Sequence, residues 1–166
     1  MTIISSATTA TFSTSTAGDN ILVTTNGSII NSTGYAIQTT GPVAYNVGIQ
    51  IYGEVVAPNK AIQFDGASTG SFFGGTEVFV AEGGIVASDG ASALQSAGTD
   101  TEVTNAGTIS ATNRALHFQA GDNIVLNTGT ISGLSYAIFA DQISISGETE
   151  IATAGTLQGS IYNQGG

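Results

Sequence analysis

The 166-residue chain carries 12 Asp and Glu but only 2 Lys and Arg, for a formal net charge of −10. Two cations are too few to neutralise a phosphate backbone, so the composition excludes nucleic acid as a partner, and the lack of cysteine excludes disulfides and thiolate chemistry. Because hydrophobic residues make up 41% of the chain, it is also too apolar to be a disordered segment.

The N-terminal residues differ from the rest of the chain. The first six, MTIISS, lack the basic segment and the apolar stretch of a cleaved signal peptide. No apolar run approaches the roughly 20 residues that a membrane-spanning helix needs, so we expect no membrane insertion. We expect residues 1–19 to form an N-terminal cap or a partial coil, and residues 20–166 to form one repetitive domain.

From residue 20 onward the sequence repeats. A segment with the pattern apolar-x-x-x-Gly-x-apolar occurs six times, and an Ala-aliphatic pair follows it in most copies. Apolar or small residues alternate within the segment, which is the period of a β-strand. A repeat of 20–30 residues built from short strands predicts a solenoid. The repeat glycines are Gly27, Gly53, Gly83, Gly107, Gly129 and Gly155.

The repeat predicts an all-β fold, a coil of parallel β-strands. We expect a single-stranded, three-faced β-solenoid of about six coils, in which equivalent residues stack in columns about 4.8 Å apart. Three apolar columns are expected to point inward and form the core. They are Val23, Ile49, Phe79, Val103, Val125 and Ile151; Ile29, Val55, Ile85, Ile109, Ile131 and Leu157; and Ile37, Ile62, Leu94, Leu116 and Ile138.

The recurring Asn-x-Gly-x-Ile and Ala-Ile elements resemble the right-handed parallel β-helix repeats of bacterial autotransporter passengers and haemagglutinin-like surface proteins. The N-terminal stretch MTIISSATT resembles the start of large type I-secreted bacterial surface proteins, which have no cleaved leader. The resemblance covers about residues 20–162 and implies an extracellular or cell-surface location. The calcium-binding repeat Gly-Gly-x-Gly-x-Asp of RTX proteins is absent, so the resemblance does not imply that calcium site.

Four side chains at one outward position of the repeat form a candidate binding column. Lys60 and Arg114 each lie seven residues after the repeat glycine and directly before the Ala-aliphatic pair, and Tyr35 and Tyr136 directly precede that pair in other copies. Arg114 beside Tyr136 on the next coil predicts a cation–π contact. A basic and aromatic column of this kind suits sugar binding, and a solvent-facing column of good strand formers is the alternative.

Two pairs of carboxylates are candidate ligands for a weakly bound calcium ion. Asp100 and Glu102 form one pair and Glu148 and Glu150 the other, each with one residue between them, so that both carboxylates lie on one strand face. Solvated surface charge is the alternative for both pairs. We expect no other cofactor.

The sequence shows no grouping of residues that indicates catalysis. The single histidine, His117, has no acidic neighbour in sequence, and we expect it at a surface position of the column rather than in a site. No column of acids repeats over three coils, so the paired carboxylates of a glycosidase are not indicated. We therefore expect no enzyme activity and no catalytic residue.

Two functions from different classes are compatible with these patterns. The first is a non-catalytic structural or adhesive module of an extracellular bacterial surface or secreted protein, which acts through self-assembly or surface binding. Its partners would be further copies of itself, as a homo-oligomer or an end-to-end assembly, or a glycan. The alternative is a carbohydrate-active β-helix, either a polysaccharide lyase or hydrolase, or a glycan-binding protein like a phage tail fibre or spike. The absence of an acid cluster beside a cation favours the first.

Overall fold

The computed structural model describes residues 1–15, 18–39, 46–65, 75–145 and 149–163. Within these ranges the chain forms strands and no helix, and the strands stack in successive layers, which we call rungs. In chain order the strands are β1 (Thr2–Ile4), β2 (Ala7–Thr8), β3 (Phe12–Thr14), β4 (Asn20–Val23), β5 (Ser28–Ile30), β6 (Tyr35–Thr39), β7 (Gly48–Ile51), β8 (Glu54–Ala57), β9 (Lys60–Phe64), β10 (Thr76–Val80), β11 (Ile85–Ser88), β12 (Ser92–Ser96), β13 (Thr101–Asn105), β14 (Thr108–Ala111), β15 (Arg114–Ala120), β16 (Asn123–Asn127), β17 (Thr130–Ile145), β18 (Thr149–Thr153) and β19 (Thr156–Asn163).

Each strand before the last rung pairs in parallel with its counterpart in the next rung, and the stacked strands form three faces. The first face is a seven-stranded sheet in the order β1-β4-β7-β10-β13-β16-β18. The second face begins with β2 and β5 and the third with β3 and β6, and the long strands β17 and β19 run through both. The predicted parallel β-solenoid is therefore confirmed, with about five turns where the sequence predicts about six coils. Its right-handed sense stays a prediction, based on the handedness of parallel crossovers.

Two of the predicted core columns need a correction, and the third is confirmed. Ile37, Ile62, Leu94, Leu116 and Ile138 are successive register partners and are fully buried. On the first face, Val23 pairs with Ile51 rather than with Ile49. The inward residue of β10 next to Ile49 is Val78, because Phe79 points outward and pairs with Gln50.

The second-face column needs a correction at one residue, and its cause differs from that on the first face. Ile85 is 38% exposed, and its neighbour Val86 is the buried partner of both Val55 and Ile109. The corners after Val23 and Val80 hold two more residues than the corner after Ile51, and a turn bond from Gly27 N to Thr24 O at 2.8 Å closes the first of them. Counting back from the glycine across the longer corner therefore selects Val23 where Ile21 is the residue that pairs with Ile49. Counting forward from Gly83, where Gly84 occupies the stacked corner, selects Ile85 instead of Val86.

The corners between the first and second faces stack backbone on backbone. A Cβ atom on Gly107 would lie 2.3 Å from the Gly84 carbonyl oxygen, and one on Gly129 would lie 2.2 Å from that of Gly107. No side chain fits at these separations, so the rung spacing requires glycine there. Gly84, and not the predicted Gly83, is the member of this column.

A short ladder of buried amides lies next to these corners. The Asn105 side-chain amide donates to Asn127 Oδ1 at 2.7 Å, and that of Asn127 donates to Thr153 Oγ1 at 3.1 Å. Asn105 also accepts a hydrogen bond from the Gly107 backbone at 3.2 Å, so the ladder fixes the corner as well as the rung spacing. Among the described residues, no helix is long and apolar enough to cross a membrane.

Candidate functional site

The outer surface of the third face carries two adjacent columns of polar, charged and aromatic side chains, which we call the third-face stripe. Parallel pairing in register places equivalent side chains on the same side of the sheet, so each column runs along the solenoid axis. The first column is Tyr35, Lys60, Ser92, Arg114, Tyr136 and Ser160. The second is Ser13, Gln38, Gln63, Gln95, His117, Phe139 and Tyr162.

The N-terminal half of the stripe is a network of amides around one carboxylate. Gln38 donates to Asp65 at 3.0 Å, and Gln63 donates to the other oxygen of the same carboxylate. Lys60 Nζ donates to the Gln63 side-chain oxygen at 2.9 Å and lies 5.5 Å from the centre of the Tyr35 ring. Burial lowers the pKa of Lys60, and the charge of Asp65 opposes this shift. The side chains of this half are thus held in place by one another.

Arg114, His117 and Asp141 form the centre of the stripe. The guanidinium of Arg114 lies 4.2 Å from the centre of the Phe139 ring, and not over the predicted Tyr136. Its Nη1 is 3.5 Å from His117 Nδ1, and His117 Nε2 is 3.3 Å from Asp141 Oδ2. Since a guanidinium can only donate, His117 accepts at Nδ1 and donates from Nε2, the tautomer of a neutral imidazole.

The expected surface position of His117 is wrong. The residue is 5% exposed, and its acidic partner Asp141 comes from the next rung, 24 residues away in sequence. Burial lowers the pKa of His117, the Asp141 carboxylate opposes the shift, and the charges of Arg114 and Lys60 add to it. A carboxylate one repeat length from a lone histidine is the sequence signal that would have revealed the pair.

The C-terminal end of the stripe is aromatic. The Phe139 and Tyr162 rings stack with their centres 4.8 Å apart and their planes inclined by 17°. Tyr136 lies 4.8 Å from Phe139, and His117 meets the same ring at its edge at 5.4 Å. Tyr162 is 39% exposed, so the rings form a platform with one member open to solvent.

Three buried polar atoms in or beside the stripe have no hydrogen-bond partner within the described part of the chain. They are Ser92 Oγ, Arg114 Nε and Asp141 Oδ1. Buried polar atoms are normally satisfied, since leaving one unpaired costs about 1–3 kcal/mol. The stripe therefore retains hydrogen-bonding capacity that its own side chains do not use.

Three of the four candidate calcium ligands, Asp100, Glu102 and Glu150, lie among the described residues. Asp100 is exposed and accepts a hydrogen bond from Thr99 at 3.0 Å. Glu102 and Glu150 lie on the outer surface of the first face with Ile124 between them in register. Glu148 lies outside the described residues. No three His, Asp or Glu side chains among the residues that the structure describes are grouped to hold a metal ion.

No protein-family model, curated protein or solved structure matches this chain. The fold and the third-face stripe therefore carry the functional argument, and membership of the autotransporter or haemagglutinin-like families stays a prediction.

Proposed function

We propose that this chain is a non-catalytic adhesive module, a stiff solenoid that presents its outer surface to a partner outside a bacterial cell. The third-face stripe is the observation that supports this proposal. Both cations of the chain lie in one of its columns, and the Phe139 and Tyr162 rings lie in the other. Parallel pairing holds these side chains at fixed spacing on a rigid backbone, which is the arrangement that a repetitive ligand such as a glycan requires.

The environment of His117 favours binding over catalysis. A general base must reach a proton of the substrate, and His117 is 5% exposed while its partner Asp141 is 16% exposed at the side chain. Arg114 covers the imidazole from the other side at Nδ1. The His117–Asp141 pair thus lies beneath the outer side chains of the stripe, where a substrate has little access to the imidazole.

Self-assembly belongs to the same proposal, since a solenoid joins end to end by adding rungs. Ile161, in the last described strand, is 50% exposed, whereas its partner Ile138 one rung earlier is fully buried. A further rung from a second copy would cover that surface. The extracellular or cell-surface location is also part of this proposal and is supported by the resemblance described above.

A glycan array combined with light scattering tests the proposal. We expect binding to glycans, association of copies, or both, and no change in polysaccharide length. The alternative enzyme is tested in the same samples, because a lyase acting on polyuronates produces an unsaturated sugar that absorbs in the ultraviolet. Accumulation of that product would show a carbohydrate-active β-helix, and the absence of both binding and association would overturn the adhesive function.

A further inference from the structure

We propose that a corner between the first and second faces contains a binding site for one neutral sugar ring, with the Tyr52 side chain as its aromatic wall. The site, which we call the corner notch, has a volume of about 260 Å³. Pockets for drug-sized ligands measure about 300–1,000 Å³, so the notch suits a single ring. Its lining includes Thr25, Asn26, Ser28, Tyr52, Glu54 and Ile85. None of these residues belongs to the third-face stripe, so the inference goes beyond the surface described above.

The notch follows from the lengths of three successive corners. The corner comprises residues 24–27 between β4 and β5, residues 52–53 between β7 and β8, and residues 81–84 between β10 and β11. Each of the two longer corners is closed by a backbone hydrogen bond of 2.8 Å, donated by Gly27 in one and by Gly84 in the other. The two-residue corner therefore lies between two longer turns, and a gap remains over it.

Tyr52 gives the notch an aromatic wall in a fixed position. Its backbone N–H donates to the Val23 carbonyl at 2.8 Å, and its ring lies 5.9 Å from the Phe79 ring at an angle of 59°. The residue is nevertheless 39% exposed. A tyrosine that is packed on one side and open on another offers apolar ring surface to the C–H groups of a sugar. On the side of the later rung the notch is lined by Gly83, which has no atom within 4 Å of its Cβ position.

The polar side chains of the notch have hydrogen-bonding capacity that the protein does not use. These groups are the hydroxyls of Thr25 and Ser28, the amide of Asn26 and the carboxylate of Glu54. Within the part of the chain that the structure describes, none of the four side chains forms a hydrogen bond. Hydroxyls and amides both donate and accept, and a carboxylate accepts, so together they match the hydroxyl groups of a sugar.

The charges around the notch favour a neutral ligand. Glu54 is the one charged residue among those that line it, and Glu82 is exposed in the neighbouring longer corner. Both cations of the chain lie on the third face. The carboxylate of an acidic sugar would therefore meet negative charge with no cation beside it. A cationic ligand would be attracted to Glu54 but would offer no acceptor to the Asn26 amide.

Nuclear magnetic resonance titration of the isotopically labelled chain tests the inference. The ligands are the methyl glycosides of glucose, galactose and mannose, followed by the uronic acid and amino sugar forms of the hexose that binds best. We expect at least one neutral glycoside to bind in the millimolar range and to shift the amide signals of Gly27, Gly53 and Gly83. The acidic form should bind about threefold or more weakly than the neutral one, and the amino form no more tightly.

Two substitutions of one residue separate the aromatic wall from its hydroxyl. Tyr52→Leu should weaken binding of the neutral glycoside by about tenfold or more, whereas Tyr52→Phe keeps the ring and should weaken it by less than about threefold. Equal affinities of these two variants would show that the ring is not a wall of the site and would overturn the inference.

A deletion removes the other wall without disturbing the strands. Without Thr25 and Asn26, Thr24 would join Gly27 in a two-residue corner of the kind that Tyr52 and Gly53 form. We expect an unchanged circular dichroism spectrum and a loss of affinity of about tenfold or more. A folded deletion variant that binds as the wild type does would overturn the notch.

Glu77→Gln is the matched control for Glu54→Gln, because both remove one negative charge and Glu77 lies exposed on the first face. Glu54→Gln should weaken binding by about threefold or more, and Glu77→Gln should leave it unchanged. Equal effects, tighter binding of the amino form, or signal shifts confined to the third face would each overturn the notch. Failure of all three hexosides to bind would overturn the notch alone, since the glycan array and light scattering decide the adhesive function separately.

Discussion

At the scale of single residues, burial in the shared core decides which side chains hold the rungs together. Ile109 is fully buried between Val86 and Ile131 in the second-face column, and Ile85 lies one residue outside that column at 38% exposure. Removing buried methylene groups costs their transfer free energy and leaves a cavity, whereas the same change at an exposed position does neither.

These two isoleucines give a matched test of the register. Ile109→Ala should lower the free energy of unfolding by about 2–5 kcal/mol, and Ile85→Ala by about 1 kcal/mol or less. Urea titrations of both variants measure the difference. Similar losses would mean that the two side chains share the core and that the second-face register is displaced by one residue.

Residue periodicity predicted the strands and the solenoid, but not all of the register. The third-face column was predictable because the segments leading into it align directly through their Ala-aliphatic pairs. The assignments of Val23 and Phe79 failed because a longer corner leaves the alternation of each strand intact while displacing it along the chain. The assignment of Ile85 failed because Gly84, and not Gly83, occupies the stacked corner. Strand periodicity carries no information on how many residues a corner holds.

The candidate site was predictable only in part for a similar reason. Tyr35, Lys60, Arg114 and Tyr136 share a repeat position, so the sequence alone shows that they belong together. Their contacts join one rung to the next and one column to the other, as where Arg114 of the first column stacks on Phe139 of the second. The sequence does not show in which direction a long side chain extends from its strand.

His117 makes stability depend on pH. Its pKa is lowered in the folded state, chiefly by burial, below the ordinary value of 6.5, so the unfolded chain binds more protons as the pH falls through that value. Stability contributed by the neutral imidazole is therefore present above pH 6.5 and is lost as the pH decreases, with a slope of at most about 1.4 kcal/mol per pH unit.

The variant His117→Gln isolates this effect, because glutamine continues the second column and does not titrate. The free energies of unfolding of the two proteins should run parallel above pH 7 and diverge as the pH falls below 6.5, with the wild type losing more. Chemical denaturation at several pH values measures both curves. Parallel curves over the whole range would show that His117 has no lowered pKa.

At the scale of the elements, the glycine corners set how closely rungs stack. The Cβ position of Gly129 is 2.2 Å from the backbone oxygen of Gly107, and a backbone atom in a stacked corner cannot move without displacing the rung. Gly98 lies in another turn, where the nearest atom to its Cβ position is the Ser96 hydroxyl at 4.0 Å. A side chain at position 129 would therefore collide with the backbone of the neighbouring rung, whereas one at position 98 would have room.

We expect Gly129→Ala to destabilise the protein by about 1–3 kcal/mol or more through overpacking. Gly98→Ala should be neutral or stabilising by up to about 1 kcal/mol, because it restricts only the unfolded chain. Thermal unfolding followed by circular dichroism compares them. A Gly129→Ala variant as stable as the Gly98→Ala variant would contradict the stacked-corner geometry.

At the scale of the whole molecule, the distribution of charged side chains determines which surfaces of two copies can meet. Both cations lie on the third face, while Glu77 and Glu102 are register neighbours on the first. Contact between first faces of two copies would therefore bring like charges together, in a chain whose net charge is −10. Contact between ends avoids that surface, so association of copies is expected along the solenoid axis.

The open end leads to the last prediction. Among the described strands, β18 and β19 are each paired on one side only, and exposed strand edges recruit other chains unless they carry charge or proline. The 166-residue chain should therefore self-associate at high concentration, and added salt or calcium should strengthen association by screening or bridging carboxylates. Sedimentation velocity over a range of protein and salt concentrations measures this directly.

Two lysine substitutions locate the contact. Ile161→Lys places a charge in the last described strand and should weaken association by about tenfold or more, since lysine is a natural blocker of strand edges. Leu134→Lys makes the same change in charge at a residue that is 84% exposed one rung earlier, and it should associate as the wild type does. Equal weakening of both variants would place the contact elsewhere than at the end. A strictly monomeric mass for the wild type, with and without calcium, would exclude end-to-end assembly of this chain, because the exposed surface of Ile161 would then have no affinity for a second copy.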